Sequence, residues 1–478
     1  MNMKNIFVIL FGLVMLFNLN FATPDIMVNG SDPCYEGVTT NYSTITEAVA
    51  AASDGESIIV CANGTIEDGI YVEDAIGIGT AIFIYGNESG VRFQTNDGEV
   101  GFVIQSANVN VTNFSISSNG AYGIAVDNKD NATIYDVTIN GSTYGIYVTG
   151  ANYSNLTSNT IYDTTSTGIY LNTSTHDHTV TSNTIYNTDG IYLEASVANT
   201  TLLYNYIYNT STYGIGMGEV STGNNFTSNN ITNSTYGFRL SNAVVVRFSG
   251  QVMNNATYGI DLTNSSLNFS GNNEINTIPA DGMPVYLDNS TINTGSYYIT
   301  TDYFRFGLGE TTDVSVQLVN LSNISDEDYT TMSTLSGVTA AYKKVVQSLQ
   351  NNYYGLNVTN TSGSASFSPK LYYNDSDISF PYSNTYAGLG ATSTLGAWTY
   401  YSPTTSVAGE SVAYTGLSIT AAAYFASIVY APPVSSSTSS KSKGTIILTY
   451  ELTCKDGTVS VYAKEASEEL SGVKIILL

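Results

Sequence analysis

The sequence of 478 residues predicts an all-β fold: a right-handed parallel β-helix of about ten rungs of 22–24 residues, followed by a smaller β-rich tail region. Two recurring patterns and one end signal predict it. The first pattern is a glycine followed by apolar residues one and three positions later, at Gly101, Gly123, Gly145, Gly168, Gly190, Gly214, Gly237 and Gly259, and the glycine series itself extends to Gly79 and Gly282. Because alternate residues of a strand share a face, the apolar residues point inward and the residue between them points outward.

The second pattern is a polar residue with an isoleucine two or three positions later. Its polar column is Asn113, Asp136, Asn159, Asn183, Asn205 and Asn229, and its isoleucines are Ile116, Ile139, Ile161, Ile185, Ile207 and Ile231. We expect the asparagine side chains to hydrogen-bond from rung to rung. We expect the recurring glycines to occupy a turn that requires positive φ.

The end signal is the segment YSTITEAVAAASDGESIIV, residues 42–60. Its apolar residues have helical spacing, which predicts an amphipathic helix over the open end of the solenoid. A leucine-rich repeat would show Leu-x-x-Leu-x-Leu, and a left-handed β-helix would show a six-residue period; neither pattern occurs. This segment and the rungs, roughly residues 30–290, resemble the pectin-lyase-like right-handed β-helix superfamily, especially its archaeal and bacterial surface proteins and the NosD relatives. The resemblance implies the same fold for this chain.

The predicted organisation has five parts. Residues 1–22 read as a secretory signal peptide, because a lone Lys precedes an apolar run too short for a membrane span. The β-helix with its capping helix covers 23–300, and a β-rich domain with one helix near 326–350 covers 301–431. Residues 432–444 form a Ser-rich linker. Residues 445–478 resemble the opening strands of an Ig-like or carboxypeptidase-regulatory-like module.

Composition indicates an exported protein that does not bind nucleic acid. The chain has 14 Lys+Arg against 39 Asp+Glu, a net charge of −25, which repels phosphate backbones. After the N-terminal run, no segment is long and apolar enough to predict a transmembrane helix. Cys34 and Cys61 bracket one segment and could form a disulfide in an oxidising compartment.

Asn-x-Ser/Thr sites are more frequent than composition explains: we count 25 in the sequence, where chance would place about 12. The excess predicts N-glycosylation of an extracellular protein. The candidate sites on the rungs are Asn131, Asn140, Asn152, Asn172, Asn199, Asn209, Asn255 and Asn264.

Three motifs are candidate reactive sites, and each has a plainer interpretation. Asn187-Thr188-Asp189-Gly190 resembles the first catalytic motif of polygalacturonases, but one period later the chain has Ser-Thr-Tyr and no second acid. An elimination site of the pectate lyase type would need a tighter cluster than Asp127, Asp130 and Asp136 with Lys129. His176, Asp177 and His178 are weak candidate metal ligands, more simply read as turn residues. No catalytic residue, metal or cofactor is therefore assigned.

Two tyrosine columns are the most suggestive surface feature. Tyr147, Tyr170 and Tyr192 hold the outward position of successive glycine strands, and Tyr162, Tyr186 and Tyr208 follow the isoleucines of the second pattern. Such rows could stack on sugar rings, or they could form a ladder that stabilises neighbouring rungs.

Two function classes remain. The first is a non-catalytic, N-glycosylated, secreted or cell-surface protein of the cell envelope, of adhesion or of glycan binding, with glycans or other cell-surface proteins as partners. The second is a secreted carbohydrate-active β-helix enzyme, a polysaccharide lyase or glycoside hydrolase with a non-standard site.

Overall fold

The computed structural model describes residues 24–28, 35, 38–61, 70–73, 75–87, 91–96, 98–172, 174–218, 221–277, 282–301, 305–320, 346–348, 354–360, 365–372, 386–392, 399–401, 411–419, 423–430, 450–455 and 458–463. The predicted signal peptide and linker lie outside these residues.

The N-terminal part contains helix α1 (Ile45–Ala51) and the strands β1 (Ile26–Val28), β2 (Thr40–Tyr42), β3 (Ser57–Val60), β4 (Ile70–Glu73), β5 (Ile76–Ile78), β6 (Phe83–Gly86), β7 (Val91–Thr95) and β8 (Phe102–Ile104). As the spacing predicts, α1 buries Ile45, Ala48 and Val49, and the Thr44 side chain caps it by accepting a hydrogen bond from the Glu47 N–H. The helix packs against β1, β3 and β5 at the start of the solenoid.

The regular rungs follow. Their strands are β9 (Asn110–Thr112), β10 (Phe114–Ser117), β11 (Tyr122–Asp127), β12 (Thr133–Tyr135), β13 (Thr138–Asn140), β14 (Tyr144–Thr149), β15 (Asn155–Thr157), β16 (Thr160–Tyr162), β17 (Thr167–Leu171), β18 (Thr179–Thr181), β19 (Thr184–Tyr186), β20 (Asp189–Leu193), β21 (Thr201–Leu203), β22 (Tyr206–Tyr208), β23 (Tyr213–Met217), β24 (Thr222–Thr227), β25 (Asn230–Ser241), β26 (Val244–Ser249), β27 (Val252–Thr263), β28 (Ser266–Phe269), β29 (Asn273–Thr277), β30 (Met283–Asp288), β31 (Thr291–Asn293) and β32 (Ile299–Thr300).

Each rung has three strands, and each strand pairs in parallel with its equivalents in the rungs before and after. The rung of β12, β13 and β14, for example, pairs strand by strand with that of β15, β16 and β17. In β25 and β27 the second and third strands run on without a break. The parallel solenoid of about ten rungs predicted from the sequence is thus confirmed.

The first strand of each rung is absent from the two sequence patterns. It contributes a third inward column: Val111, Ile134, Leu156, Val180, Leu202 and Phe226. These side chains and the two predicted apolar columns are almost fully buried and form one continuous core. Removing each side chain from water contributes about 1.5–3 kcal/mol to stability.

Three corners join the strands of a rung, and each contains a residue in the left-handed conformation. In one rung these are Asp177 (φ 60°), Ser182 (φ 56°) and Asn187 (φ 55°). Asparagine and aspartate tolerate this region better than other non-glycine residues. The corners therefore account for much of the asparagine in the chain.

The recurring glycines lie within the third strands and not at these corners, so the expectation of positive φ for them is wrong. At Gly190 an added Cβ would lie 1.9 Å from the Gly214 carbonyl oxygen and 2.8 Å from Ile207 Cγ2. The column requires glycine because the second and third strands approach closely. Gly79 and Gly282 do not belong to it: by register their rungs place Ala75 and Pro284 there.

The asparagine ladder exists, but its register corrects the sequence pattern. Its members are Asn159, Asn183, Asn205, Asn229, Gln251 and Asn273. Asn113 and Asp136 lie one position earlier, at left-handed corners, and Val137 occupies the ladder position of its rung. In the ladder, Asn183 Nδ2 donates to the Leu156 carbonyl and to Asn205 Oδ1, each at 2.9 Å.

After the rungs, the chain forms β33 (Arg305–Leu308), β34 (Thr311–Thr312), β35 (Val314–Asn320), β36 (Val346–Ser348), β37 (Tyr354–Asn360), β38 (Ala365–Phe367), β39 (Pro369–Tyr372), β40 (Tyr386–Thr392), β41 (Thr399–Tyr401), β42 (Ser411–Ala413), β43 (Leu417–Ile419), β44 (Ala423–Tyr430), β45 (Tyr450–Lys455) and β46 (Thr458–Ala463).

Pairing becomes antiparallel from β33 onward. The sequence places a domain boundary near residue 300, but β35 pairs with β30 and β34 pairs with β31, so Met1–Pro432 is one compact unit. The helix expected near 326–350 falls mostly outside the described residues. At its end, Val346–Ser348 is instead a strand, because its backbone groups pair with β44. The second unit, Pro433–Leu478, contains the antiparallel hairpin of β45 and β46.

Candidate functional site

The outward surface of the third strands, named here the third face, carries the most varied chemistry of the rungs. Register aligns one outward column along it: Val103, Ala125, Tyr147, Tyr170, Tyr192, Gly216, Arg239, Asp261 and Tyr286. The column changes from aromatic to charged after the side chain is lost at Gly216.

The aromatic part is a stack of rings. Tyr147 and Tyr170 have ring centroids 5.5 Å apart at 12°, and Tyr170 and Tyr192 have theirs 5.4 Å apart at 23°. Their hydroxyls are also engaged: Asn172 Nδ2 donates to Tyr147 at 2.5 Å, and Tyr170 donates to Glu194. Burial, followed by the bond to Glu194, raises the pKa of Tyr170, so it stays a neutral donor.

The second strands carry the other predicted row on their outward surface, named here the second face. Tyr162 and Tyr186 are stacked at 5.0 Å and 4°, and Tyr186 and Tyr208 at 4.9 Å and 7°. Neighbouring rings at this spacing are already in contact, so no sugar can fit between them. The inner faces of both rows therefore stabilise the rungs and cannot stack on glycans.

The charged part of the column belongs to a cluster named here the acid–tyrosine patch: Tyr236, Arg239, Tyr258, Asp261, Tyr286 and Asp288. Arg239 Nε lies 3.7 Å from Asp261 Oδ2, and its Cζ lies 4.8 Å from the centre of the Tyr236 ring. Tyr236 stacks on Tyr258 at 4.9 Å. The patch spans three successive rungs and offers a cation, two carboxylates and phenol hydroxyls side by side.

Burial sets the electrostatics of the patch. It raises the pKa of Asp261 to about 6, although Arg239 opposes the shift, and nearby Asp288 adds to it. Burial, then the charges of Asp288 and Asp261, also raise the pKa of Tyr286. Asp261 is buried while Arg239 is half exposed, so the carboxyl lies at the base and the guanidinium at the rim.

The two acidic motifs considered from sequence have structural roles. Asp189 begins β20, and its Oδ1 accepts hydrogen bonds from Ser211 Oγ and from the Thr212 N–H, both at 2.8 Å. Asp130 Oδ1 accepts from the Asn152 N–H at 2.7 Å, and Asp127 accepts from Asn128 Nδ2 at 2.6 Å. Asp136 occupies a corner with φ 53°. Asp189 and Asp130 thus connect neighbouring rungs, Asp127 holds a turn, and Asp136 forms a corner.

The histidines at 176 and 178 point to different environments. His178 is buried, and its Nδ1 accepts from the Ser154 N–H at 3.2 Å; burial, then His176, lowers its pKa to about 4. His176 lies nearer the surface, 2.7 Å from Asp177 and edge-on to Tyr153. Among the residues that the structure describes, no three His, Cys, Asp or Glu side chains form a metal-binding group.

The candidate glycosylation sites divide into two sets. Asn131, Asn199, Asn209, Asn255 and Asn264 occupy exposed left-handed corners. Asn140, Asn152 and Asn172 are half buried, and the amide nitrogens of Asn140 and Asn172 donate to Tyr162 and Tyr147. Corners favour Asn and the following strands favour Thr. The fold therefore explains part of the excess of these motifs without glycosylation.

The predicted disulfide lies at the N-terminal end. Cys61 is buried and disulfide-bonded. Cys34 lies outside the described residues, so its pairing with Cys61 stays a prediction.

The sequence patterns do not predict the acid–tyrosine patch. Its column members Arg239, Asp261 and Tyr286 are 22 and 25 residues apart, and each is a single outward residue between apolar ones. A signal was present: reading only the outward position of each glycine strand gives the column directly.

Comparisons with known proteins support the fold. Residues 100–251 match the family model described as a right handed beta helix region. No curated protein sequence matches the chain significantly. Within the described part of the chain, no helix has the length and apolar character needed to cross a membrane.

Three solved structures are similar at low identity. The Agl-KA catalytic domain is 16% identical with a TM-score of 0.39, over 53% of this chain and 61% of that domain. A mutant of the periplasmic alginate epimerase AlgG is 16% identical (TM-score 0.35; 52% and 77%), and an alginate lyase from Paenibacillus sp. str. FPU-7 is 15% identical (0.33; 53% and 95%). The chain thus spans less than two thirds of the Agl-KA domain. Likenesses this distant carry no information about activity, but the family match and the strand pairing agree: residues 100–251 form a right-handed parallel β-helix.

Proposed function

We propose that this chain is a secreted or cell-surface protein whose third face binds glycans without chemical turnover. The observation that carries the proposal is the acid–tyrosine patch, in which Arg239, Asp261 and Tyr286 hold the outward column of three consecutive rungs. Planar polar groups beside aromatic rings match the alternating hydroxyls and apolar faces of a sugar.

The geometry supports a binding surface for a long ligand. Successive rungs place equivalent groups about 4.8 Å apart along a rigid parallel sheet. A polymer that lies along the rungs could therefore contact several rungs at once, and weak contacts would add up. The tyrosine ladders would hold the face rigid, which lowers the entropy lost on binding.

We also propose N-glycosylation at the exposed corners, where Asn199 and Asn264 present side chains to solvent. Glycans there would lie off the third face and leave the patch accessible. Mass mapping of the native protein tests this: occupied Asn199 and Asn264 support it, and unmodified peptides at all five corner sites contradict it.

A glycan array probed with the full chain tests the binding function. We expect Arg239→Ala and Tyr286→Ala to weaken binding about 10-fold, because each removes a contact from a shared site. Tyr186→Ala on the second face is the matched control and should leave affinity unchanged. Equal affinity of all variants would contradict the placement, and an array without binding would contradict the function.

A carbohydrate-active enzyme is the second candidate, and one observation favours it. Asp261, with its pKa raised to about 6, could exchange a proton near neutral pH, and Asp288 supplies a second carboxylate on the next rung. Incubation with polysaccharides would decide: new reducing or unsaturated ends that disappear in Asp261→Asn favour an enzyme. Binding without new ends favours the first proposal.

A further inference from the structure

We infer that the third face selects uncharged glycans and rejects polyuronates. The inference rests on the glycan-binding function proposed above and adds the chemical class of the ligand. It follows from the balance of charge on this face and from the partners of Arg239, the one cation on its described strands.

The charged side chains of the face are mostly acidic. On the described third strands and the residue after β20, they are Asp127, Asp189, Glu194, Asp261, Asp288 and Arg239. Five carboxyl groups thus accompany one guanidinium. The net charge of −25 for the whole chain extends the same sign to longer range.

The one arginine is committed within the patch. Its Nε faces Asp261 Oδ2 at 3.7 Å, and its guanidinium lies over the Tyr236 ring. A sugar carboxylate that recruited Arg239 would have to compete with Asp261. It would also lie near Asp288, a like charge. Recognition of carboxylates ordinarily uses a guanidinium in a bidentate arrangement, so this geometry disfavours a uronate.

Uncharged sugars avoid both penalties. Their hydroxyls can donate to Glu194 and Asp288 and accept from the outer N–H groups of Arg239. Acidic side chains bound to sugar hydroxyls need no countercharge from the ligand. The same groups that repel a polyanion therefore serve a neutral polymer.

Calorimetric titration of the full chain with two matched pairs of oligosaccharides tests the inference. The pairs are β-1,4-linked mannose and mannuronate hexamers, and α-1,4-linked galactose and galacturonate hexamers. We expect the neutral member of a pair to bind at least 10-fold more tightly than the acidic one at low salt, and the ratio to shrink as salt screens the repulsion. Tighter or equal binding of the uronate member overturns the inference.

Charge variants distinguish the effect of the carboxylates on the third face from the effect of the net charge of the whole chain. Asp288→Asn should narrow the neutral-to-acidic ratio several-fold, because one nearby repulsion is removed. Glu274→Gln, on the outward side of β29 in the second face, is the matched control and should leave the ratio unchanged. Equal narrowing in both would mean that only net charge matters and would overturn the assignment to the third face. Absence of binding to all four oligosaccharides would instead overturn the proposed function and the inference together.

Discussion

Asn183 and Asn187 lie four residues apart on the same rung and carry the same side chain, yet they do opposite work. Asn183 is fully buried, and its amide bonds the rungs before and after it. Asn187 is exposed at a left-handed corner, and its Nδ2 bonds Asp163 Oδ1 at 3.0 Å in competition with water. Inside the solenoid, asparagine stabilises the fold through the hydrogen bonds of its side chain. At the exposed corners, it does so because its backbone tolerates the left-handed conformation.

Gly190→Ala is expected to cause the largest loss of stability, because it disturbs the interior of this rung. The new Cβ would overlap the Gly214 carbonyl oxygen, which cannot move without shifting the next rung. We expect a loss of about 4 kcal/mol in the free energy of unfolding, or no folded protein. Denaturant unfolding measures it. Gly79→Ala, whose Cβ would meet nothing within 4 Å, is the control and should change stability little.

The second prediction compares the stability lost when alanine replaces the buried Asn183 with that lost when it replaces the exposed Asn187. Asn183→Ala leaves the N–H and side-chain amide of Asn159 and the Leu156 carbonyl without this partner, in a place that water does not reach. We expect a loss of about 3 kcal/mol in urea unfolding. A loss as small as that of Asn187→Ala would contradict the distinction between inner and outer rows.

The third prediction concerns pH and a buried histidine. Burial lowers the pKa of His178 from 6.5 to about 4, so the unfolded chain binds more protons between these values. The stability that neutral His178 provides is therefore full above pH 6.5 and lost as pH falls toward 4, by on the order of 3 kcal/mol.

Asp261 acts in the opposite direction. Burial raises its pKa from 3.8 to about 6, so its contribution favours the folded state at low pH and declines as pH rises through this range. Unfolding curves from pH 4 to 7 should show stability rising with pH more steeply in Asp261→Asn than in the natural protein. In His178→Asn the rise should be smaller or reversed. Identical pH profiles would show that neither group titrates as assigned.

The smallest effect is expected outside the rung. Asn187→Ala places a Cβ-bearing residue with no local hydrogen bond at φ 55°, at a cost of about 1 kcal/mol. Asn187→Gly should recover most of that stability, since glycine adopts this conformation freely. If alanine and glycine destabilise equally, the exposed hydrogen bond and not the backbone gives Asn187 its value.

How much the sequence predicts depends on what repeats. The inward columns and the outward tyrosines follow from the period of the rungs, and the helix at Ile45–Ala51 follows from the helical spacing of its apolar residues. Burial requires apolar residues at the inward positions of every rung. The repeat does not reveal the backbone conformation. A recurring glycine such as Gly190 is consistent with positive φ and with close packing, and only the structure distinguishes the two. For the same reason the sequence pattern assigns the corner residues Asn113 and Asp136 to the asparagine ladder, whose position is one residue later.

The patch could not be read in the same way. Arg239, Asp261 and Tyr286 differ from rung to rung, so no column analysis by residue type finds them. Their proximity depends on register, and their chemistry depends on burial of Asp261. In this solenoid the repeated positions determine the fold, whereas outward positions that differ between rungs form the candidate site.

The spacing of the rungs also has a consequence for how the chain reaches its fold. Most strands of the solenoid pair with segments 21 to 27 residues away, as β14 does with β11 and β17. Most pairings of the solenoid are therefore short in sequence, and a newly made segment has its template as soon as the next rung leaves the ribosome. Assembly can proceed in order from the end at helix α1, each rung serving as the surface on which the following one closes.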